Sequence, residues 1–436
     1  MRRSKQIIDF EWDKIFNKFP ENNFSNHAFP LFLFTDRLYK SLTNSGKKDI
    51  LFMSREGQFL KKLFDRYCEI KKELNQNEAD IKTHYFFGSR NSVMTASVKP
   101  VDEENFESLF KFFSFFMTPR RFMLSIGFSN EQVDKVKESF GKEIDKTCLS
   151  FKNSKLFKKL KENEVFKKIY EENRKIQSKS FDRYMKSFGI NLKKDGIAFV
   201  DIGYHGTMQD LVFNFFDKKI DIIGYFIKSR AKQEVKNRKV GLLGDKSNKK
   251  LFGSKITEYD SFNYEQILRA DHGRCLGYNM EDNFSSPIID TQFGDEETFN
   301  KYVKAMQSQI FEKFEEIAFK ALSSNLDIED MCVVYYFYTI KNKTKSDYDW
   351  ILDMQDNSHD DFGFVGYTGK IIGRKLRRFS FKIKDKFFVA KNSIYIKKLT
   401  KKIKLKLLNT ENQKAKANKR KKLALDESSS SSKNVA

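Results

Sequence analysis

Short apolar runs that stop at polar turns constrain this chain more than any other feature. Asp49-Ile-Leu-Phe-Met53, His84-Tyr-Phe-Phe87, Gly196-Ile-Ala-Phe-Val200 and the run from Asp221 to Ile227 show little alternation of apolar and polar residues. A half-exposed strand alternates. A strand buried on both faces does not, and such strands belong to parallel sheets covered by helices. Amphipathic patterns lie between the runs: 30–46, closed by Gly46; Gln58 to about Glu73; a Phe-rich stretch over 105–145; and a Lys/Glu-rich stretch over 155–188. The expected fold class is α/β, a Rossmann-like parallel sheet flanked by helices, with a helical insertion and a helical C-terminal region. The boundaries read as an α/β unit over 1–280 with its insertion at about 105–190, and a mainly helical region over 281–369 that ends in an acidic, irregular connector at 346–369. A basic amphipathic segment over 370–408 and a disordered tail over 409–436 follow. In the insertion, Phe106, Leu109, Phe110, Phe113, Phe116 and Met117 read as core.

Charge is uneven. Residues 370–422 hold 21 Lys/Arg against two acids, Asp385 and Glu411, whereas the whole chain is +23. The body is therefore close to an ordinary charge balance, which excludes a uniformly basic nucleic-acid binder. Hydrophobic content of 39% with 46 Phe excludes a disordered chain. No apolar run reaches the roughly 18 residues of a membrane span. The basic first residues lack an apolar stretch behind them, so no secretory leader is expected and the expected location is cytoplasmic. Cys68, Cys148, Cys275 and Cys332 are far apart and read as reduced thiols.

Ligands of open α/β sheets sit beyond the carboxyl ends of the strands. Three of those ends carry Ser-Arg: Ser54-Arg55, Ser89-Arg90 and Ser229-Arg230. Guanidinium forks suit phosphate oxygens, so Ser54, Arg55, Ser89 and Arg90 are candidate anion contacts. Ser and Arg are also common loop residues. The segment Asp201-Ile-Gly-Tyr-His-Gly-Thr-Met-Gln209 follows a buried strand. Gly203 and Gly206 would allow close backbone approach to a ligand, with Thr207 and Gln209 beside it. Asp201, Glu56 and His205 are the candidate catalytic groups, and Asp201 is a candidate ligand for Mg²⁺. Asp201 and Thr207 also read as turn caps, and Asp271-His272-Gly273 as a turn with a satisfied histidine. No Walker A loop, dinucleotide fingerprint, zinc spacing or Ser nucleophile elbow is present.

Residues 371–408 interleave Lys/Arg with Ile371, Ile372, Leu376, Phe379, Phe381, Phe387, Phe388, Ile394 and Ile396. That mixture favours an anionic membrane surface over nucleic acid, and a peripheral position on the inner face of the membrane.

Several of these segments together resemble one family. Leu51-Phe-Met-Ser-Arg-Glu-Gly-Gln-Phe-Leu60, Tyr85-Phe-Phe-Gly-Ser-Arg90, Val200 to Gln209, Gly224-Tyr-Phe226, and Glu265 with His272-Gly273 and Gly277-Tyr278 are similar, in order, to motifs of predicted hydrolases of the HAD (haloacid dehalogenase-like) superfamily. Those proteins are found in bacterial surface-polysaccharide gene clusters. The resemblance covers roughly residues 30–280. It implies phosphoryl transfer or hydrolysis on a phosphosugar or sugar nucleotide in capsule or related polysaccharide biosynthesis, with Mg²⁺. It also leaves open a non-catalytic phosphosugar-binding partner of a membrane-associated glycosyltransferase, or a glycosyltransferase itself. The superfamily's strand-end Asp-x-Asp is missing, since Asp201-Ile-Gly203 lacks the second acid, and Glu56 stands where the family motif has Asp.

Overall fold

Successive side chains of the sheet strands divide between two apolar layers. In β1 (Asp49–Met53), Ile50 and Phe52 enter one layer and Leu51 and Met53 the other. In β5 (Ile197–Tyr204), Ala198 and Val200 join the first layer and Ile197 and Phe199 the second. Burial on both faces is why these runs lack polar alternation. The computed structural model describes residues 24–356 and 374–431, apart from 77–78, 111–115, 233, 249–250, 252, 254–256, 258–260, 282–283, 292–293 and 325–327.

The five-stranded sheet has the order β2-β1-β5-β6-β7, with β2 at Lys82–Phe86, β6 at Ile222–Ser229 and β7 at Asn237–Asp245. Every pairing in it is parallel. Two residue pairs (β3, Phe116–Met117, with β4, Cys148–Leu149) and a hairpin (β8, Cys275–Met280, with β9, Ser285–Ile289) are antiparallel. From β1 the chain moves outward to β2, then returns past β1 to β5 and runs on to the other edge. The strand order reverses between β1 and β5, which makes their carboxyl ends the switch point of the sheet.

The first layer packs the helices Ala28–Ser45 and Gly57–Glu73 over the sheet. The Ala28–Ser45 helix stops where expected, at Gly46 in the left-handed region with φ 68°. The helices Lys304–Ser324 and Glu329–Lys341 cover this layer through Ile310, Phe314, Val333 and Phe337. The helical region thus shares the core of the α/β unit. The second layer holds the helices Arg90–Ser97, Glu164–Ser187 and Thr207–Phe215.

The insertion is broken up. Short helices at Glu107–Phe110, Pro119–Ser125, Asn130–Phe140 and Lys155–Glu162 surround the β3–β4 pair. Phe106, Leu109 and Met117 are core as expected, and Phe110 packs against them; Phe113 and the side chain of Phe116 lie outside what the structure describes.

Three expectations need correction. The boundary at 280 falls inside the β8–β9 hairpin, because pairing of Cys275–Met280 with Ser285–Ile289 carries the unit past it. The described part of the acidic connector is a helix, Lys345–Asp356, whose Ile351, Leu352 and Met354 are buried, while 357–369 lie outside the described residues. In the tail expected to be disordered, residues 409–431 continue the helix Arg374–Ser431, and 432–436 lie outside the described residues.

Candidate functional site at the strand switch

Phe52 of β1 lies opposite Val200 of β5. One residue further on, the parallel register sets Met53 beside Asp201 at the roughly 5 Å spacing of neighbouring strands, and Ser54-Arg55 follow Met53 in the turn. Asp201 shares a face with Ile197 and Phe199, by strand alternation. It is half-buried, and its Oδ1 accepts the Ile202 N–H at 2.7 Å. Glu56 follows Arg55 as the residue before the Gly57–Glu73 helix, and its Oε2 accepts the Arg55 N–H at 3.1 Å. The peptide bonds Ser54–Arg55 and Gly203–Tyr204 are cis. The helices Gly57–Glu73, Arg90–Ser97 and Thr207–Phe215 all begin at this edge of the sheet.

Several expected ligand contacts have other duties. Ser54 ties two strand ends together: its Oγ donates to Gly88 O at 2.7 Å and lies 3.0 Å from the Gly88 N–H. Ser89 is buried, caps the Arg90–Ser97 helix by accepting the Ser92 N–H, and donates to Cys275 O at 2.6 Å. Its hydroxyl is used up inside the fold. Gln209 is fully buried and donates to Asn237 Oδ1 at 2.6 Å and Arg238 O at 2.9 Å, so it braces β7. Gly203 is needed against β6, since a Cβ there would meet Lys228 O at 2.1 Å. Gly206, with φ 68°, precedes the Thr207–Phe215 helix, and a Cβ there would press on Lys239. Thr207 is the first residue of that helix and does not cap it; the capping position is Gly206. His205 is exposed. Arg90 begins its helix half-buried at the crevice edge. Arg230 stacks over the Tyr204 ring at 5.1 Å.

Arg55 carries the largest revision. Its Nη1 is 3.2 Å from Asp295 Oδ1, and Arg269 pairs with the same oxygen. Asp295 and Arg269 are buried. Two guanidiniums thus share one carboxylate, leaving one positive charge in the triad. Burial, and next the Arg55 charge, pull the Arg269 guanidinium below its ordinary pKa, against Asp295.

Tyr85 on β2 joins this cluster. His272 Nδ1 is 2.7 Å from Gly273 O, a pure acceptor, so Nδ1 carries the proton. Nε2 is then the acceptor for the Tyr85 hydroxyl at 2.7 Å. The Tyr85 Oη is also 3.3 Å from Arg55 O. Burial, then the Glu56 charge, push the Tyr85 hydroxyl well above its ordinary pKa. Gln58 holds the same loop by donating to Asp271 Oδ1 at 2.8 Å. The reading of 271–273 as a turn with a satisfied histidine agrees with these contacts. Sequence reasoning missed Tyr85, Arg269 and Asp295 as neighbours of Arg55. Asp295 starts the Asp295–Tyr302 helix, and its acidic first turn reads as ordinary dipole pairing.

Burial lowers the His272 pKa. Its value is ordinary, about 6.5, in the unfolded chain. Between that value and the lowered folded one, the unfolded state binds the extra proton. Stability from this group is therefore full above about pH 6.5 and is lost as pH falls toward the folded value. Urea midpoints at about pH 7.5 and about pH 5.5 should differ less in His272→Gln than in the wild type. An unchanged difference would mean that another group sets the slope.

Among the described residues, no three His, Cys, Asp or Glu side chains converge as a metal site. Asp201 fits Mg²⁺ only as one carboxylate of an ion that takes its other ligands from phosphate and water. No family model matches the chain, and no curated protein matches it. Among the described residues, no helix is long and apolar enough to cross a membrane.

Proposed function

We propose that the crevice between β1 and β5 takes a phosphosugar or sugar nucleotide, and that the chain transfers or hydrolyses its phosphoryl group in surface-polysaccharide biosynthesis. The observation that supports this reading is that the neighbouring strands β1 and β5 end at the switch point in Arg55-Glu56 and Asp201, where three helices begin. The helix N-termini favour an anion. Asp201 would act as the nucleophile toward phosphorus, or as the carboxylate beside a Mg²⁺ that accompanies the phosphate. When bound, that ion would neutralise charge on the phosphoryl oxygens. Glu56 would move the proton, and exposed His205 would serve it from the solvent side. Arg90, which follows β2, would contact the anion from that side.

A second reading has a specific observation in its favour. The missing second acid and the pairing of Arg55 with Asp295 suit a phosphosugar-binding module serving a glycosyltransferase. A reaction of the chain's own with a sugar nucleotide and a lipid acceptor, as in a glycosyltransferase, is read out by product formation.

Purified protein with Mg²⁺ and a panel of sugar phosphates and sugar nucleotides separates these readings. Phosphate release should fall by at least about 100-fold in Asp201→Asn while the melting temperature stays near that of the wild type. Full turnover in Asp201→Asn would end the assignment of Asp201. Thermal stabilisation by a ligand without turnover would select the binding module.

A further inference from the structure

The helix Arg374–Ser431 has two apolar faces, and the body uses only one. Phe388, Ile396, Leu399 and Ile403 are buried in the first layer. Asp385 and Arg378 fasten the same side, Asp385 accepting the Tyr348 hydroxyl at 2.8 Å and lying 3.4 Å from Lys343 and Arg378 pairing with Asp349, while Lys402 at its flank pairs with Asp330 at 3.0 Å. At about 100° per residue, these four apolar side chains fall on one side of the helix.

Leu376, Ile383, Phe387, Ile394 and Leu405 fall on the opposite side, within about 20° of Leu376 on the same wheel. They are 65%, 50%, 71%, 71% and 53% exposed, and Phe379 beside them is 61% exposed. Lysines border this stripe on both flanks. Lys375, Lys386 and Lys397 lie about 60–100° to one side, and Lys384, Lys391 and Lys398 about 40–80° to the other. All six are exposed. Between 375 and 405 there are twelve Lys/Arg and one acid, the buried Asp385.

We infer that this outward face is a docking surface for an anionic lipid bilayer, on which the helix lies in the interfacial plane. Charge complementarity and the stripe select the occupant together. Large apolar side chains enter the acyl boundary while flanking lysines reach anionic headgroups. A second copy of the chain would bring lysine flanks against lysine flanks, a repulsive arrangement. Nucleic acid would pair the lysines and leave the phenylalanines and isoleucines in water. Because the other face is packed onto the body, binding would fix the orientation of the whole protein on the membrane. The inference is independent of the crevice and stands whether or not the crevice is catalytic.

The full chain is mixed with vesicles of phosphatidylcholine alone and with vesicles containing about 30 mol % phosphatidylserine, and sedimented. It should pellet with the second only, and less so at high salt. Phe387→Ser with Ile394→Ser alters only exposed side chains and should weaken pelleting by about tenfold or more at unchanged melting temperature. Lys384, Lys391 and Lys398 changed together to Gln should weaken it as well. Pelleting unchanged by the Phe387 and Ile394 substitutions would overturn the inference by showing that charge alone drives binding. Dimerisation abolished by those substitutions, with no vesicle binding, would overturn it in favour of a second copy.

Discussion

Asp295→Ala is expected to lower unfolding free energy by about 3–5 kcal/mol, the range for removing one partner from a buried charge group. Its side chain is 6% exposed, and its two partners, Arg269 and Arg55, are 4% and 17% exposed. Without the carboxylate, two guanidiniums face each other in a poorly hydrated place. Against a native stability of about 5–15 kcal/mol, that is a large fraction. Asp295 also begins a helix, where a negative charge opposes the dipole favourably, but that contribution is only about 0.3–1 kcal/mol and does not decide the result. Urea or guanidinium titration measures the loss. The control is the double variant Arg269→Leu with Asp295→Leu, which removes one positive charge along with the negative one and refills the volume. It should recover part of the loss, since well-packed apolar replacements of buried ion pairs are often close to neutral. A loss below about 0.5 kcal/mol in Asp295→Ala would mean that water reaches the cluster and that its burial carries little energy.

The triad also shows why the site was only partly legible in the sequence. What is local could be read. β1, its turn and the Gly57–Glu73 helix follow from an apolar run, a polar break and 3.6-residue periodicity within one window. Asp201 at a strand end followed by two glycines was visible for the same reason. Arg55 and Asp295 are 240 residues apart, and no spacing rule connects them. The Ser-Arg repetition suggested three equivalent anion contacts, yet the three serines differ: Ser54 links two loops, Ser89 caps a helix in the interior, and Ser229 is buried on β6. Strand β7 escaped because Asn237-Arg-Lys-Val-Gly carries charges where an apolar run was sought. Its Lys239 is nevertheless buried, paired with Asp210 from the Thr207–Phe215 helix. A partner supplied by another element makes a polar residue compatible with the interior, and local periodicity does not register that. The sequence marks 370–408 as a basic amphipathic segment and 409–436 as a separate tail; that one helix, Arg374–Ser431, joins them, and that it has two opposed apolar faces, emerges only once the body claims one of those faces.

Gly203→Ala should be costly for a different reason, one that separates two demands a glycine can meet. Gly203 has φ 119°, a region that side-chain-bearing residues seldom enter, and it pairs with Lys228 in the parallel β5–β6 ladder. A Cβ would stand 2.1 Å from the Lys228 carbonyl oxygen, so the two strands must part where Arg230 N–H donates to Tyr204 O at 2.8 Å. Backbone strain of about 1–3 kcal/mol and overpacking of about 1–3 kcal/mol add to roughly 2–6 kcal/mol. Gly46 supplies the comparison: its φ is 68°, but no atom lies within 4 Å of an added Cβ. Gly46→Ala carries only the conformational penalty of a left-handed residue, about 1 kcal/mol. Denaturation of the two variants side by side should therefore give losses that differ by at least about 1 kcal/mol, with Gly203→Ala the worse. Equal losses would show that the β5–β6 ends yield without cost and that the close approach carries no energy. If the loss at Gly203 is the larger, Asp201 two residues earlier should be displaced with the strand end. Under the proposed function, stabilisation by a sugar phosphate should then weaken in Gly203→Ala and persist in Gly46→Ala.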